Sequence, residues 1–491
     1  MTAVCVMVLG TSSGAGKSWV STALCRYYAR LGLKVAPFKA QNMSNNARVV
    51  PGLLGLEGEI GSAQYFQALA AHCEPHVHIN PVLLKPEADT KSQVILLGEV
   101  DVALSKTPWR ERSAHVWPHI ARSLDALRAQ HDVVVIEGAG SPAEINLHAS
   151  DIVNMRVAMH AQARCLLVAD IDQGGAFAHL YGTWALLPPA ERALIHGFVL
   201  NKFRGDANLL APAPAQLEQL TGVPTVATLP MWHQHGLPEE DGVFDDRSRS
   251  SGRVHTTIAV LAFPRISNLD EFQPLKNIPG VRLVWVRTPA DCAGADWIIL
   301  PGSKHTTADL AWLRAQGLDH TVTLHARQGK PVLGICGGLQ MLGDTLVDEH
   351  GIDGNANGLG LLPLVTHFEV KKTVRRISVC FGDVCKPWSP LAGKAVRGYE
   401  IHHGQTAQHA APGKPIEPAC EVLPRLAWQN KAGNVLGVYL HGLFEDPTVL
   451  NALFGAQAPT LDTVFDGLAD CLAQHVEPGV LDALIAPLNH H

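Results

Sequence analysis

The sequence predicts an α/β protein of two doubly wound domains, on three observations. Short runs rich in Val, Ile and Leu alternate with longer amphipathic stretches, in two successive series. Each series contains an apolar run that ends in a glycine-rich turn. The rhythm breaks once, at GLPEEDGVFDDRSRSSGR, which has charge, Gly and Ser but no apolar period, as linkers do. At 491 residues the chain exceeds one core, and length alone suggests about three domains. The expected division is a first domain over 1–235, an acidic linker over 236–254, a second domain over 255–447 and a helical tail over 448–491.

In the first series Ala3–Leu9, Asp132–Ile136, Cys165–Ala169 and Ile195–Leu200 read as buried parallel strands. Thr257–Ala262, Val281–Val286, Trp297–Leu300 and Pro331–Ile335 form the second series, followed by a β-rich stretch to about residue 440.

Composition excludes several classes. With 47% hydrophobic and 17% charged residues the chain is globular rather than fibrous or disordered. A net charge of −6 argues against a nucleic-acid partner, which needs a basic face. The ten cysteines form no CxxC pair, a pattern suited to a reducing cytosol. The chain enters an apolar strand without a basic leader, and no run of about 18 uncharged apolar residues occurs. The expectation is a cytoplasmic protein without a membrane span. The 25 histidines are scattered; His402-His403 and His490-His491 are adjacent pairs, too few for a metal site by themselves.

The first strand runs into GTSSGAGKS, Gly10 to Ser18, and then a helix expected over Trp19–Leu31. Such a turn aims backbone N–H groups and the positive helix end at phosphates. Gly10, Thr11, Gly14 and Gly16 shape the cradle, Lys17 reaches the terminal phosphates of ATP, and the Ser18 hydroxyl binds Mg²⁺. The spacing is one residue longer than the plain P-loop, and this form resembles the dethiobiotin synthetase group. Glu137 and Asp170, each following a predicted strand, are the candidate acids for the metal, with Asp172 two positions on. Asn201, in NKFRGD, offers the donor and acceptor that an adenine edge requires. The amide-rich stretch KAQNMSNNA supplies Lys39, Gln41, Asn42 and Ser44 as candidate contacts to a polar substrate; a surface turn is the competing reading.

In the second series Gly334, Cys336 and Gly338 fit G-x-C-x-G, the cysteine form of the nucleophile elbow. The turn exposes the sulfur, the N–H of Gly337 helps to form an oxyanion hole, and the helix N-terminus favours the thiolate. Gly302, after Trp297–Leu300, is the candidate second oxyanion donor. His441 in GVYLHGLFED is the candidate base, and His402 in GYEIHHG its competitor.

These residues resemble class I glutamine amidotransferases, whose motif is G-x-C-x-G-x-Q. The resemblance makes Cys336 the nucleophile, His441 the base and Gln340 a glutamine-binding residue. That class places an orienting carboxylate two positions after the histidine, where this chain has Leu443. Glu445 and a Cys-His dyad are the alternatives.

Taken together, GTSSGAGKS, FKAQNMS, EGAGSPAEINL with DIVNM, VADIDQGGAFA, NKFRGD, LPGSKHT, GICGGLQMLG, GYEIHHG and YLHGLFED resemble the cobyric acid synthase family of cobalamin biosynthesis, over essentially the whole chain. The family commonly carries arginine where this chain has Gln173. The resemblance implies ATP- and glutamine-dependent amidation of the b, d, e and g carboxylates of a corrinoid substrate, adenosylcobyrinic acid a,c-diamide. Cobyrinic acid a,c-diamide synthase shares the architecture, but its segment after the P-loop should differ from FKAQNMS. A peptidoglycan amidase would split the activities and use another synthetase. A partitioning-type switch ATPase would carry an extra lysine where this chain has Thr11-Ser12-Ser13.

Overall fold

The computed structural model describes residues 2–88, 91–232, 235–238, 253–408, 418–455 and 460–487. Most of the expected linker lies outside them, as does His490-His491. The chain forms two compact units: Met1–Ser44, Val50–Leu237 and Thr460–His491 make the first, and Asn45–Val49 with Pro238–Pro459 the second. The stretch after 447 is therefore not a separate tail. Helix Pro447–Phe454 belongs to the second unit, while Leu461–His475 and Val480–Ile485 belong to the first.

The first unit is built on six parallel strands: β1 (Val4–Gly10), β2 (Val35–Phe38), β3 (Val133–Glu137), β4 (Arg164–Asp170), β5 (Ile195–Phe203) and β6 (Thr225–Pro230), in the order β6-β5-β4-β1-β3-β2. Along β1, Cys5, Met7 and Leu9 enter one apolar core and Val6 and Val8 another. With both faces covered, nearly every position must be apolar, which is why these strands read as continuous runs. Because β3 and β4 flank β1, their carboxyl ends bring Glu137 and Asp170 to either side of the P-loop.

Helix α1 (Lys17–Arg30) starts two residues earlier than expected, inside the P-loop motif. It buries Val20, Leu24 and Tyr28 in the same core as Val464, Phe465, Leu468 and Leu472 of α2 (Leu461–His475). Arg26 pairs with Asp462 at 2.9 Å and Asp466 at 2.8 Å, and the Tyr28 hydroxyl donates to the Leu481 carbonyl at 2.9 Å.

The second unit holds β7 (Thr256–Leu261), β8 (Val281–Val286), β9 (Trp297–Leu300), β10 (Val332–Ile335), a long antiparallel hairpin of β11 (Leu364–Cys380) and β12 (Ala395–Gln408), then β13 (Cys420–Leu423), β14 (Ala427–Gln429) and β15 (Val435–Val438). Its main sheet runs β8-β7-β9-β10-β15-β14-β13, parallel from β8 to β15 and antiparallel beyond. Three adjacent strands, β9, β10 and β15, thus end side by side, and the residues just past those ends are Gly302, Cys336 and His441. Open α/β sheets place their ligands at this edge.

Phe465 is 1% exposed, at the centre of the α2 contact. Phe465→Ala is expected to destabilise the first unit by about 3–5 kcal/mol, measured by denaturant unfolding, because the cavity adds to the lost transfer energy. A change below about 1 kcal/mol would show that α2 does not cover this core.

Candidate active site

In the first unit the P-loop closes around the start of α1. Gly16 has φ 101°, and an added Cβ would lie 2.0 Å from Asn201 Nδ2, so both conformation and space demand glycine. The Asn201 amide donates to the Ala15 carbonyl at 2.9 Å. One of its two N–H donors thus holds the loop. The Thr11 N–H donates to the Val168 carbonyl at 2.9 Å, and Thr11 Oγ1 is buried without a hydrogen-bond partner among the described residues. Lys17 donates to the carbonyls of Ser12 at 3.0 Å and Gly140 at 3.3 Å.

Glu137 is the hub. Its Oε1 accepts from Ser18 Oγ and Lys39 Nζ, both at 2.9 Å, and Oε2 accepts from Gln67 Nε2 at 2.5 Å. Burial disfavours the carboxylate, but the Lys39 charge and hydrogen bond, then Gln67 and Lys17, outweigh it and hold the carboxyl below its ordinary value. Asp170 accepts from Lys202 at 2.8 Å and Gln173 at 3.3 Å, and Lys202 also donates to the Gly14 carbonyl at 2.7 Å. Nothing in the sequence marks Lys202 as a member of this site. It sits beside Asn201 with φ 62°, a conformation that sequence does not announce outside glycine.

The amide-rich stretch is not a surface turn. Lys39, Gln41, Asn42 and Ser44 are all buried, Gln41–Met43 is a strand, and Asn42 donates to Gln64 Oε1 at 3.0 Å.

In the second unit, Cys336 takes φ 49° and ψ −104° between β10 and helix α3 (Gly337–Leu342). A non-glycine residue there carries about 1–3 kcal/mol of backbone strain. Gly338 permits it, since an added Cβ would meet the Leu300 carbonyl oxygen at 1.9 Å. The neighbouring strand ends converge. A Cβ on Gly302 would lie 3.0 Å from His441 Cε1, and one on Gly337 2.8 Å from the Ser303 nitrogen. The Cys336 sulfur lies 3.7 Å from the Ile401 carbonyl and is close enough to His441 to act on its ring electrostatically.

The third member of this constellation is Glu271. Its Oε1 lies 3.2 Å from His441 Nδ1, and its Oε2 accepts the Gly442 N–H at 3.1 Å. The positions two and four after His441, Leu443 and Glu445, do not fill this place. Leu443 is instead in the core, and Glu445 pairs with Arg48 at 2.6 Å. Glu271 comes from a short turn after β7, 170 positions away, and an acidic pair in NLDEF resembles any solvated turn. Tyr399 stacks on His441, with ring centroids 5.4 Å apart and planes 22° from parallel. Burial opposes a charged His441, but the Glu271 charge and then Cys336 overcome it and raise the imidazole to about 10.

His402, the competing base, has both ring nitrogens engaged, with the Gly404 carbonyl at 2.7 Å and Glu400 at 3.0 Å, and it stacks on Tyr439. The Gln340 amide is buried, accepting from Thr306 Oγ1 at 2.9 Å and donating to the Tyr439 hydroxyl at 3.2 Å. It braces the wall behind Cys336.

Two outcomes follow from the Glu271–His441 pair. Glu271→Gln is expected to lower kcat for glutamine hydrolysis by about 10²–10⁴-fold, since the imidazole loses both its orienting partner and its counter-charge. The pair also links to folding. The folded state keeps a proton that an ordinary histidine releases near pH ~6.5, so this stabilisation is complete below that pH. It is lost as pH rises towards about 10. Chemical unfolding across this window should show stability falling in the parent and a shallower fall in Glu271→Gln; equal slopes would contradict the pairing.

Comparisons with known proteins agree with this geometry. Residues 6–236 match the CobQ/CobB/MinD/ParA nucleotide binding domain, and residues 257–449 the CobB/CobQ-like glutamine amidotransferase domain. The chain is 73% identical to a cobyric acid synthase of Acidovorax ebreus (strain TPSY), over 99% of both chains. It is 70% identical to one from Variovorax paradoxus (strain S110), covering 99% of this chain and 100% of the relative, and 63% identical to one from Leptothrix cholodnii, covering 98% and 97%. With a nucleotide-binding unit and a cysteine elbow in one polypeptide, matched end to end by these relatives, the chain belongs to the cobyric acid synthase family of glutamine-hydrolysing carbon–nitrogen ligases.

Proposed function

We propose that the chain amidates the b, d, e and g side-chain carboxylates of adenosylcobyrinic acid a,c-diamide to give adenosylcobyric acid, consuming one ATP and one glutamine per amide. The observation that carries this reading is the Glu271–His441 pair beside Cys336, in a chain that also holds the Ser18–Glu137–Lys39 cluster behind a P-loop. A carboxylate is a poor electrophile at neutral pH. Transfer of the ATP γ-phosphoryl group to a carboxylate oxygen gives an acyl phosphate, a step promoted by positioning and electrostatics. Lys17, Gly10, Thr11, Gly14 and Gly16 would grip the triphosphate, with Asn201 holding the loop. Lys39, Gln41, Asn42 and Ser44 are the proposed contacts to the acid.

Mg²⁺ fits the oxygen donors at this place. Ser18 Oγ and Glu137 Oε1 are 2.9 Å apart, and Asp170 ends the strand on the other side of β1. A hard cation held by one or two carboxylates together with phosphate oxygens needs no larger cage. When bound, it supplies charge neutralisation at the transferring phosphoryl group.

Ammonia comes from the second unit. Cys336 thiolate attacks the side-chain amide carbon of glutamine, and the Gly302 and Gly337 N–H groups stabilise the oxyanion. His441 gives its proton to the departing ammonia, leaving a glutamyl thioester, and then takes one from the water that hydrolyses it. Glutamate leaves and the thiolate is restored. Ammonia attacks the acyl phosphate, forming the amide and expelling phosphate. The scheme works in a cytoplasmic setting with small-molecule partners only: corrinoid, glutamine and ATP.

The test is mass spectrometry of the adenosylated a,c-diamide after incubation with enzyme, ATP, Mg²⁺ and glutamine. Four successive OH-to-NH₂ exchanges are expected. Cys336→Ala should lose them with glutamine and regain them with ammonium chloride. Lys17→Ala should lose at least ~100-fold with either nitrogen source, because it removes a charge on the transferring phosphoryl group. No mass change with the parent enzyme would sink the corrinoid assignment.

A further inference from the structure

Five residues, Asn45–Val49, belong to the second unit although the sequence on both sides belongs to the first. They are held against the turn that carries Glu271. The Leu269 N–H donates to Asn46 Oδ1 at 2.9 Å, and the Ala47 N–H donates to Asn268 Oδ1 at 3.0 Å. Arg48 follows, 1% exposed. Its Nη2 forms ion pairs with Asp270 and, at 2.6 Å, with Glu445; its Nη1 donates to the Tyr399 hydroxyl at 2.8 Å.

These partners flank the glutaminase pair on two sides. Asp270 immediately precedes Glu271, whose oxygen meets His441 Nδ1. Tyr399, gripped by Arg48, stacks on the His441 ring and also exchanges backbone hydrogen bonds with it. Three acids, Asp270, Glu271 and Glu445, therefore share this buried region with one guanidinium and one imidazole. Removing one partner of such a cluster leaves uncompensated charge, and only the planar fork of arginine serves two carboxylates and a phenol at once.

We infer that Arg48 is a positioning residue of the glutaminase: through Asp270 and Tyr399 it fixes Glu271 and the His441 ring for action on the Cys336 sulfur. It is supplied by a segment that begins directly after Ser44 in the chain, so the sequence from residue 253 on does not by itself contain the whole of this centre.

This inference rests on the glutamine-hydrolysing reading of Cys336. The experiment uses the full chain and compares Arg48→Lys, Arg48→Gln and Tyr399→Phe with the parent. Glutamate release from glutamine and amide formation from ammonium chloride are both measured in each preparation. For Arg48→Gln the kcat of glutamate release should fall on the order of 10- to 100-fold, the cost of a misplaced catalytic pair. The KM for glutamine should stay within about 3-fold, because no contact to glutamine is removed. Arg48→Lys, which keeps the charge without the fork, should retain more activity than Arg48→Gln. Tyr399→Phe, which keeps the stacked ring and loses only the hydroxyl, should show a smaller loss of kcat. Unchanged kcat in Arg48→Gln overturns the inference alone, as does an equal loss in the ammonia reaction, which would mark Arg48 as a general folding residue. A parent enzyme that releases no glutamate overturns this inference and the reading of Cys336 together.

Discussion

A carboxylate and an imidazole buried together, Glu271 and His441, constrain most of what surrounds them in the second unit. Neither is accessible to water, so the hydrogen bond between them and the Gly442 N–H on the second Glu271 oxygen must satisfy what solvent cannot. Because Nδ1 is taken by Glu271, the pair leaves Nε2 as the ring nitrogen for proton exchange with Cys336. The sulfur is held by a different constraint, the backbone strain of a residue at φ 49° that the glycines on either side make possible. Strain at the nucleophile and burial at the base are two costs that the fold bears, and both fall where three parallel strands end side by side.

The first unit meets a related constraint. Here a buried carboxylate, Glu137, is surrounded by donors: Ser18, Lys39 and Gln67. A site for a triphosphate and a divalent cation must hold charge of both signs without collapsing, and a carboxylate already balanced by lysine does so. Lys202 performs the same service for Asp170 while tying the P-loop at Gly14. Both acids sit on the strands flanking β1, so the sheet order rather than any loop sets their separation.

How much of this is legible in the sequence depends on the range of the interaction. Lys17, Ser18 and Cys336 are readable because glycines within a few positions announce the turns that expose them, and the parallel strands because burial on both faces leaves them apolar throughout. Glu271 and Arg48 are not. Their meaning lies in partners 170 and 222 positions away, and neither has a local pattern that separates it from a solvated residue. Helix Leu461–His475 illustrates the same limit at the level of elements: its apolar face is visible, but nothing in its period says which core it covers. Asn201 and Gln340 show a subtler gap. Both stand in recognisable motifs, yet their amides hold protein carbonyls and hydroxyls in place.

In the proposed reaction, nitrogen freed at Cys336 enters the amide that ATP makes possible. This transfer is tested most directly by supplying glutamine labelled with ¹⁵N in its side-chain amide, together with unlabelled ammonium, and reading the isotope in the corrinoid product. Incorporation of ¹⁵N into the new amides well above the labelled share of total ammonia is the result expected where glutamine hydrolysis and amide synthesis are coupled. Label only at the diluted level would contradict the account, leaving glutamine hydrolysis and amide synthesis as separate reactions of one chain.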